Sequence, residues 1–64
     1  MKQLRQGILE MIKDEEKGAY EYLDLVDMLA NMGYPENVTD KILKMAKDEF
    51  KHKKTLLDIL RKQL

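Results

Sequence analysis

The chain has 64 residues, of which 44% are hydrophobic and 38% are charged, and 12 basic and 12 acidic side chains give a formal net charge of zero. This balance argues against nucleic acid as a partner, because proteins that bind phosphate backbones normally carry a basic excess. With no cysteine, no export signal and no long apolar run, we expect a cytoplasmic protein without a membrane partner. A chain this short buries little surface alone, so we also expect self-association.

The first predicted helix covers residues 3–32. Its polar side chains cluster on one face, and apolar side chains recur on the opposite face at the three-four spacing of an amphipathic helix. That apolar face contains Ile8, Met11, Ile12, Ala19, Tyr22, Leu25, Val26 and Leu29. Gly18 lies within the helix and should cost about 1 kcal/mol relative to alanine. A close approach of backbones, or a lack of room beside a crowded site, would explain its presence.

A single strong break separates the first helix from a second helix predicted at 36–63. Gly33 suits the end of the first helix and Pro35 the first turn of the second, although Thr39-Asp40 offers an alternative start. The second apolar face contains Val38, Ile42, Met45, Ala46, Leu56, Ile59, Leu60 and Leu64. No segment shows the alternation of a strand. We therefore predict an all-α fold in which residues 1–64 form one antiparallel helical hairpin.

The two apolar faces are wider than one antiparallel neighbour can cover, which predicts that two hairpins pair into a four-helix bundle. Glu15 falls at the centre of the first apolar face and Glu49 at the centre of the second, with His52 one turn further along. A carboxylate in a protein core is costly unless it is paired or bound to a metal ion. These three residues are therefore the candidate functional residues of the chain.

A weak internal repeat bears on the choice between neighbouring acids in the first helix. The segment Met11-Ile12-Lys13-Asp14-Glu15 matches Met45-Ala46-Lys47-Asp48-Glu49 at four of five positions. The repeat and the helical phase favour Glu15 as the counterpart of Glu49, and Glu16 remains the alternative.

The sequence Glu49-Phe50-Lys51-His52 is a Glu-x-x-His motif, which presents a carboxylate and an imidazole on one helix face. In ferritin-like four-helix bundles, two helices each supply one glutamate and the other two each supply Glu-x-x-His around a pair of metal ions. Glu15, Glu49 and His52 are half of that set, and a two-fold homodimer would supply the whole. Carboxylate and imidazole donors suit iron or manganese, and zinc is possible.

Longer stretches resemble the ferritin-like superfamily, and rubrerythrin-type di-iron domains most closely. The family pattern Glu-x-x-Ala-x-x-x-Tyr is similar to the segment from Glu15 to Tyr22, with Gly18 where alanine is usual. The Gly33-Tyr34 ending and the motif from Asp48 to His52 also match the family. The similarity covers nearly the whole chain but one helix pair of the usual two. Encapsulated ferritins, a related branch, build an iron site from two hairpins.

The resemblance implies a role for each candidate residue. Glu15 would be a terminal carboxylate ligand, Glu49 a bridging carboxylate and His52 the nitrogen ligand, with Tyr22 donating a hydrogen bond nearby. We therefore expect two iron ions per homodimer and oxidation of Fe(II) by dioxygen or peroxide. The alternatives are a non-catalytic homodimerising helical module and a structural metal site without turnover.

Overall fold

A computed structural model describes residues 2–63 as two α-helices, α1 (Lys2–Asn31) and α2 (Glu36–Lys62), without a strand among them. Contacts between the helices pair Glu15 with His52 and Glu16 with Lys53, while Tyr20 meets Phe50. Tyr20 lies beyond Glu15 and Glu16 on α1, whereas its partner Phe50 lies before His52 and Lys53 on α2, as expected for antiparallel helices joined by a short turn. The predicted all-α hairpin is confirmed; the second helix begins at the predicted residue, and the other three helix ends differ from the predicted ends by one residue.

The turn between the helices is built around Gly33, whose φ of 86° lies in the left-handed region that favours glycine. The Gly33 amide donates to the carbonyl of Ala30 at 3.1 Å, and the Tyr34 amide donates to the carbonyl of Leu29 at 3.0 Å. This pair of bonds is the Schellman motif, which satisfies carbonyls left free at the helix end. The prediction that Gly33 terminates the first helix is confirmed, since α1 ends at Asn31 and Gly33 forms the turn after it.

The second helix begins at Glu36, one residue after Pro35. Pro35 occupies the N-cap with extended backbone angles, and its carbonyl accepts a hydrogen bond from the Val38 amide at 3.0 Å. The alternative start at Thr39-Asp40 is therefore wrong. Thr39 is already helical, and its hydroxyl donates to the carbonyl of Glu36 at 3.2 Å. The preset φ of proline allows the helix to start directly after the turn.

The core of the hairpin is narrow. Its buried apolar cluster consists of Ile8, Ile12 and Leu60, with Leu9, Leu56 and Leu57 packed against it. Ala19 and Ala46 are 0% and 1% exposed, and no large side chain of the described residues is buried to that degree. Small side chains at these positions allow close packing of the helices, but they bury little apolar area.

Part of each predicted apolar face is uncovered. Met11, Leu25, Met45 and Ile59 are exposed, at between 36% and 54% of their surface. The reason is geometric, because a single neighbouring helix covers only one side of a wide apolar stripe. We call the surface formed by these four residues the open face. Its breadth fits the expectation of a second helical layer, while the hairpin itself provides only one.

Within residues 2–63, neither helix combines the length and the apolar composition needed to cross a bilayer.

Candidate metal centre

Glu15, Glu49 and His52 meet near the middle of the hairpin. Each offers one ligand atom, and these atoms lie within 4.8 Å of one another. The two glutamates are half-buried and the histidine is exposed. The predicted site residues are thus brought together within one chain, although they come from both helices. No family knowledge is needed to identify them as a group of possible metal ligands.

Helical spacing accounts for half of this arrangement. Glu49 and His52 are three residues apart on α2, so their side chains project from the same face. The packing of α1 against α2 supplies the other half, since it places Glu15 Oε2 3.3 Å from His52 Nδ1. Depending on the tautomer, His52 donates to Glu15 through Nδ1 or leaves that nitrogen as an acceptor.

Glu16, the alternative ligand, lies outside the cluster. Its carboxylate pairs with Lys53 across the helices at 3.1 Å. The sequence pattern did not reveal this partner. The pairing depends on the register between the two helices, which an amphipathic pattern does not specify. The ion pair therefore separates the adjacent acids, with Glu15 in the cluster and Glu16 beside it.

The pKa of Glu49 is raised above its ordinary value. The largest cause is a hydrogen bond that its carboxyl shares with Glu15, followed by partial desolvation and by the negative charge of Glu15. His52 lowers the pKa of Glu49, and Asp48 raises it slightly. Two carboxyl groups this close disfavour a second negative charge unless a proton or a cation lies between them.

Gly18 borders the Glu49 carboxyl. A Cβ atom at position 18 would lie 3.4 Å from Glu49 Cδ and 3.5 and 3.6 Å from its two oxygens. The nearly equal distances show that the carboxyl group faces the Cβ position of Gly18. A Cβ at position 18 would therefore make ordinary van der Waals contact with this carboxyl, so the site borders the glycine closely but has room for alanine.

The cluster belongs to the open face. Met11 and Met45 each precede one of the two clustered glutamates by four residues, about one helical turn. Ile59 follows His52 by seven residues, which again places both on one side of α2. Exposed apolar side chains therefore lie on the same side of each helix as the polar groups. This setting resembles half of a buried polar site more than an ordinary solvated surface.

The donor set fits a divalent cation of intermediate hardness. Two carboxylates and one imidazole suit iron, manganese or zinc, and three protein donors leave coordination positions for further ligands. Tyr22, expected from the family resemblance to donate a hydrogen bond, is half-buried. The hydrogen bonds seen within residues 2–63 do not include its hydroxyl, so that role remains a prediction.

No family model matches the chain, and no curated protein or solved structure shows significant similarity to it. The similarity to rubrerythrin-type domains thus depends on the motif residues alone. What can be said of the site comes from its own geometry.

Proposed function

We propose that two copies of the hairpin pair through their open faces and bind two iron ions between them, where Fe(II) is the substrate of an oxidation. One observation carries the proposal. The ligand atoms of Glu15, Glu49 and His52 converge within 4.8 Å, and Met11 and Met45, one helical turn before the two glutamates, are exposed in the single chain. The fold expected of the pair is a ferritin-like four-helix bundle, as the sequence resemblance implies.

Two properties of the open face bear on the pairing of two hairpins: its apolar side chains and its carboxylates. Covering its apolar side chains would stabilise a dimer, but it would also remove water from four carboxylates. Four glutamates carry a charge of about −4 and two divalent cations about +4, so metal binding offsets the desolvation of the acids. Each hairpin supplies half of the donors, and the second copy completes the coordination.

Each residue has a defined task in this proposal. Glu15, Glu49 and His52 would hold the iron, with Glu49 as the carboxylate shared between the two ions, Glu15 as a terminal carboxylate ligand and His52 as a neutral nitrogen ligand. Met11 and Met45 limit the access of water along the bundle. Bound iron supplies one-electron redox chemistry, so two Fe(II) provide the two electrons that reduce hydrogen peroxide, with two protons, to two molecules of water. The chain offers little material for an organic substrate pocket, which favours small oxidants.

The test is an anaerobic Fe(II) titration of metal-free protein, followed by exposure to peroxide or air. We expect two iron ions per dimer and oxidation faster than in buffer. Glu49→Ala and His52→Ala should abolish both. Asp48→Ala and Lys51→Ala are matched controls, because each changes a charged neighbour that lies outside the cluster, and they should retain iron binding.

Other outcomes would select the alternative functions. Stoichiometric iron without oxidation above the buffer rate would indicate a structural metal site. A dimer that binds no iron, manganese or zinc would indicate a non-catalytic helical module, and the metal proposal would be wrong. The exposed apolar side chains of the open face support pairing under either outcome.

A further inference from the structure

We propose that Gly18 is a positioning residue for Glu49, and that the room it leaves sets the strength of metal binding. The inference rests on the proposed function, because it concerns the same site. Gly18 itself offers no ligand atom, and its effect passes through the carboxyl group that lies against it. The family pattern has alanine at this place, so the size of the residue at position 18 is a property of this chain.

The space beside Gly18 admits one carbon atom in contact with the Glu49 carboxyl. A Cβ at position 18 would be 3.4 Å from the nearest Glu49 atom, which is ordinary van der Waals contact. Alanine can therefore be accommodated with the Glu49 carboxyl in place. The two methyl groups of valine extend about 1.5 Å further, and they are held stiffly at χ1 in a helix. They would push the carboxyl away from α1.

Displacing the Glu49 carboxyl has a direct chemical consequence. Its position beside α1 brings its oxygen within 4.8 Å of the ligand atoms of Glu15 and His52. If the Glu49 carboxylate moves away from α1, it can no longer bind the same ion as Glu15 and His52. Changes in groups that orient metal ligands typically reduce metal affinity by about 10- to 100-fold.

Gly18→Val should lower metal affinity but raise the helix propensity of α1. Glycine is less favourable within a helix than alanine or valine, so both substitutions should favour formation of α1. A purely structural role for position 18 would make fold stability and metal binding change together. A positioning role separates them, because Gly18→Val would lower metal affinity without a matching loss of helix.

Gly7 provides a matched control within the same helix. A Cβ added there meets no heavy atom within 4 Å, and Gly7 does not have the left-handed φ of Gly33. Gly7→Ala and Gly7→Val should therefore make the same changes in helix propensity without touching the cluster. Any effect of valine on iron binding that appears at position 18 but not at position 7 comes from Glu49.

The experiment measures Fe(II) affinity by anaerobic calorimetry for these four variants and the unmodified chain. Circular dichroism of the metal-free proteins reports helix content, and sedimentation velocity reports assembly. We expect Gly18→Ala to bind Fe(II) within about 3-fold of the unmodified chain and Gly18→Val to bind 10-fold or more weakly. Both should retain helix content and assembly, and both Gly7 variants should bind normally. Equal affinity of Gly18→Val and the unmodified chain would overturn the positioning role and leave the iron proposal intact.

A second measurement tests the placement without metal. In the metal-free chain, nuclear Overhauser contacts should join the α-protons of Gly18 to the γ-protons of Glu49, and Gly18→Val should weaken the contacts of Glu49 with residues around it on α1. If the unmodified chain binds no Fe(II), the proposed function is wrong. Absence of the Gly18–Glu49 contacts would instead overturn the positioning inference, so the two failures are distinguishable.

Discussion

His52 Nδ1 lies 3.3 Å from Glu15 Oε2, although the two residues are 37 positions apart in the chain. This contact joins the middle of α1 to the middle of α2 at the level of the Glu49 carboxyl. Beside it, Lys53 holds Glu16 at 3.1 Å. Two adjacent acids of α1 therefore face two adjacent bases of α2, and each acid has a different partner.

The separation of the two acids predicts different effects of the same substitution. Glu15→Gln removes a charged ligand from the cluster and should abolish stoichiometric Fe(II) binding. Glu16→Gln removes a partly exposed ion pair, which should cost at most about 1 kcal/mol of stability and leave iron binding intact. Metal analysis of the two purified variants checks this. Loss of iron in Glu16→Gln but not in Glu15→Gln would reverse the assignment.

A second prediction concerns the pH dependence of the metal-free chain. The pKa of Glu49 is raised from its ordinary value of 4.5, first by the hydrogen bond with Glu15, then by desolvation and by the charge of Glu15. The folded chain therefore binds this proton more tightly than the unfolded chain does. By linkage, the contribution of Glu49 to stability is fully present below the ordinary pKa, and it is lost as pH rises through the raised pKa.

The measurement is the free energy of unfolding in a chelator at a series of pH values. Glu49→Gln stays uncharged throughout, so it should become stabilising relative to the unmodified chain as pH increases through this window. Glu10→Gln, at an exposed position of α1, serves as the control and should show no such crossover. Parallel pH profiles for all three proteins would show that the neighbours of Glu49 do not raise its pKa.

Much of this fold follows from sequence periodicity and turn chemistry. The three-four spacing and the Gly33-to-Pro35 break predict both helices to within one residue, because a glycine at positive φ and a proline define the turn closely. The same spacing predicts that Glu49 and His52 share a face of α2. It cannot define the register of α1 against α2, so neither the Glu16–Lys53 pair nor the contact of Gly18 with Glu49 could be predicted. Register depends on side-chain packing between the helices.

The sequence pattern also could not predict how exposed the apolar side chains are in the single chain. Met11 and Met45 were predicted on apolar faces, and they are 54% and 43% exposed. A pattern defines which face is apolar but does not say how much of that face one neighbour covers. Pairing of hairpins through this surface remains a prediction, and it has its own test.

A third prediction concerns this pairing. Met45→Lys places a charge on the open face one turn from Glu49, and burying that charge in an interface would be costly. We expect a shift from dimer to monomer at micromolar concentrations in sedimentation equilibrium. Thr55→Lys adds the same charge at an exposed position of α2, where it loses only the hydrogen bond from Thr55 to the Lys51 carbonyl. Dissociation of both variants, or of neither, would place the interface elsewhere.

The last prediction concerns the narrow core that holds the register of the site. Ile12 is 7% exposed and belongs to the buried cluster with Ile8 and Leu60. Ile12→Ala removes buried methyl and methylene groups and should lower the free energy of unfolding by about 2 to 4 kcal/mol. Leu4→Ala, at a position that is 53% exposed, should cost less than about 1 kcal/mol.

Because the hairpin core is small, the Ile12→Ala loss is a large fraction of its stability. Ile12 lies one turn before Glu16 and three residues before Glu15, so loosening at this point should also weaken the contact between Glu15 and His52. Chemical denaturation with and without Fe(II) measures both effects, since bound metal should recover part of the lost stability by linkage. A cost for Ile12→Ala no greater than that for Leu4→Ala would mean that the two helices are held together by the paired hairpin rather than by their own core.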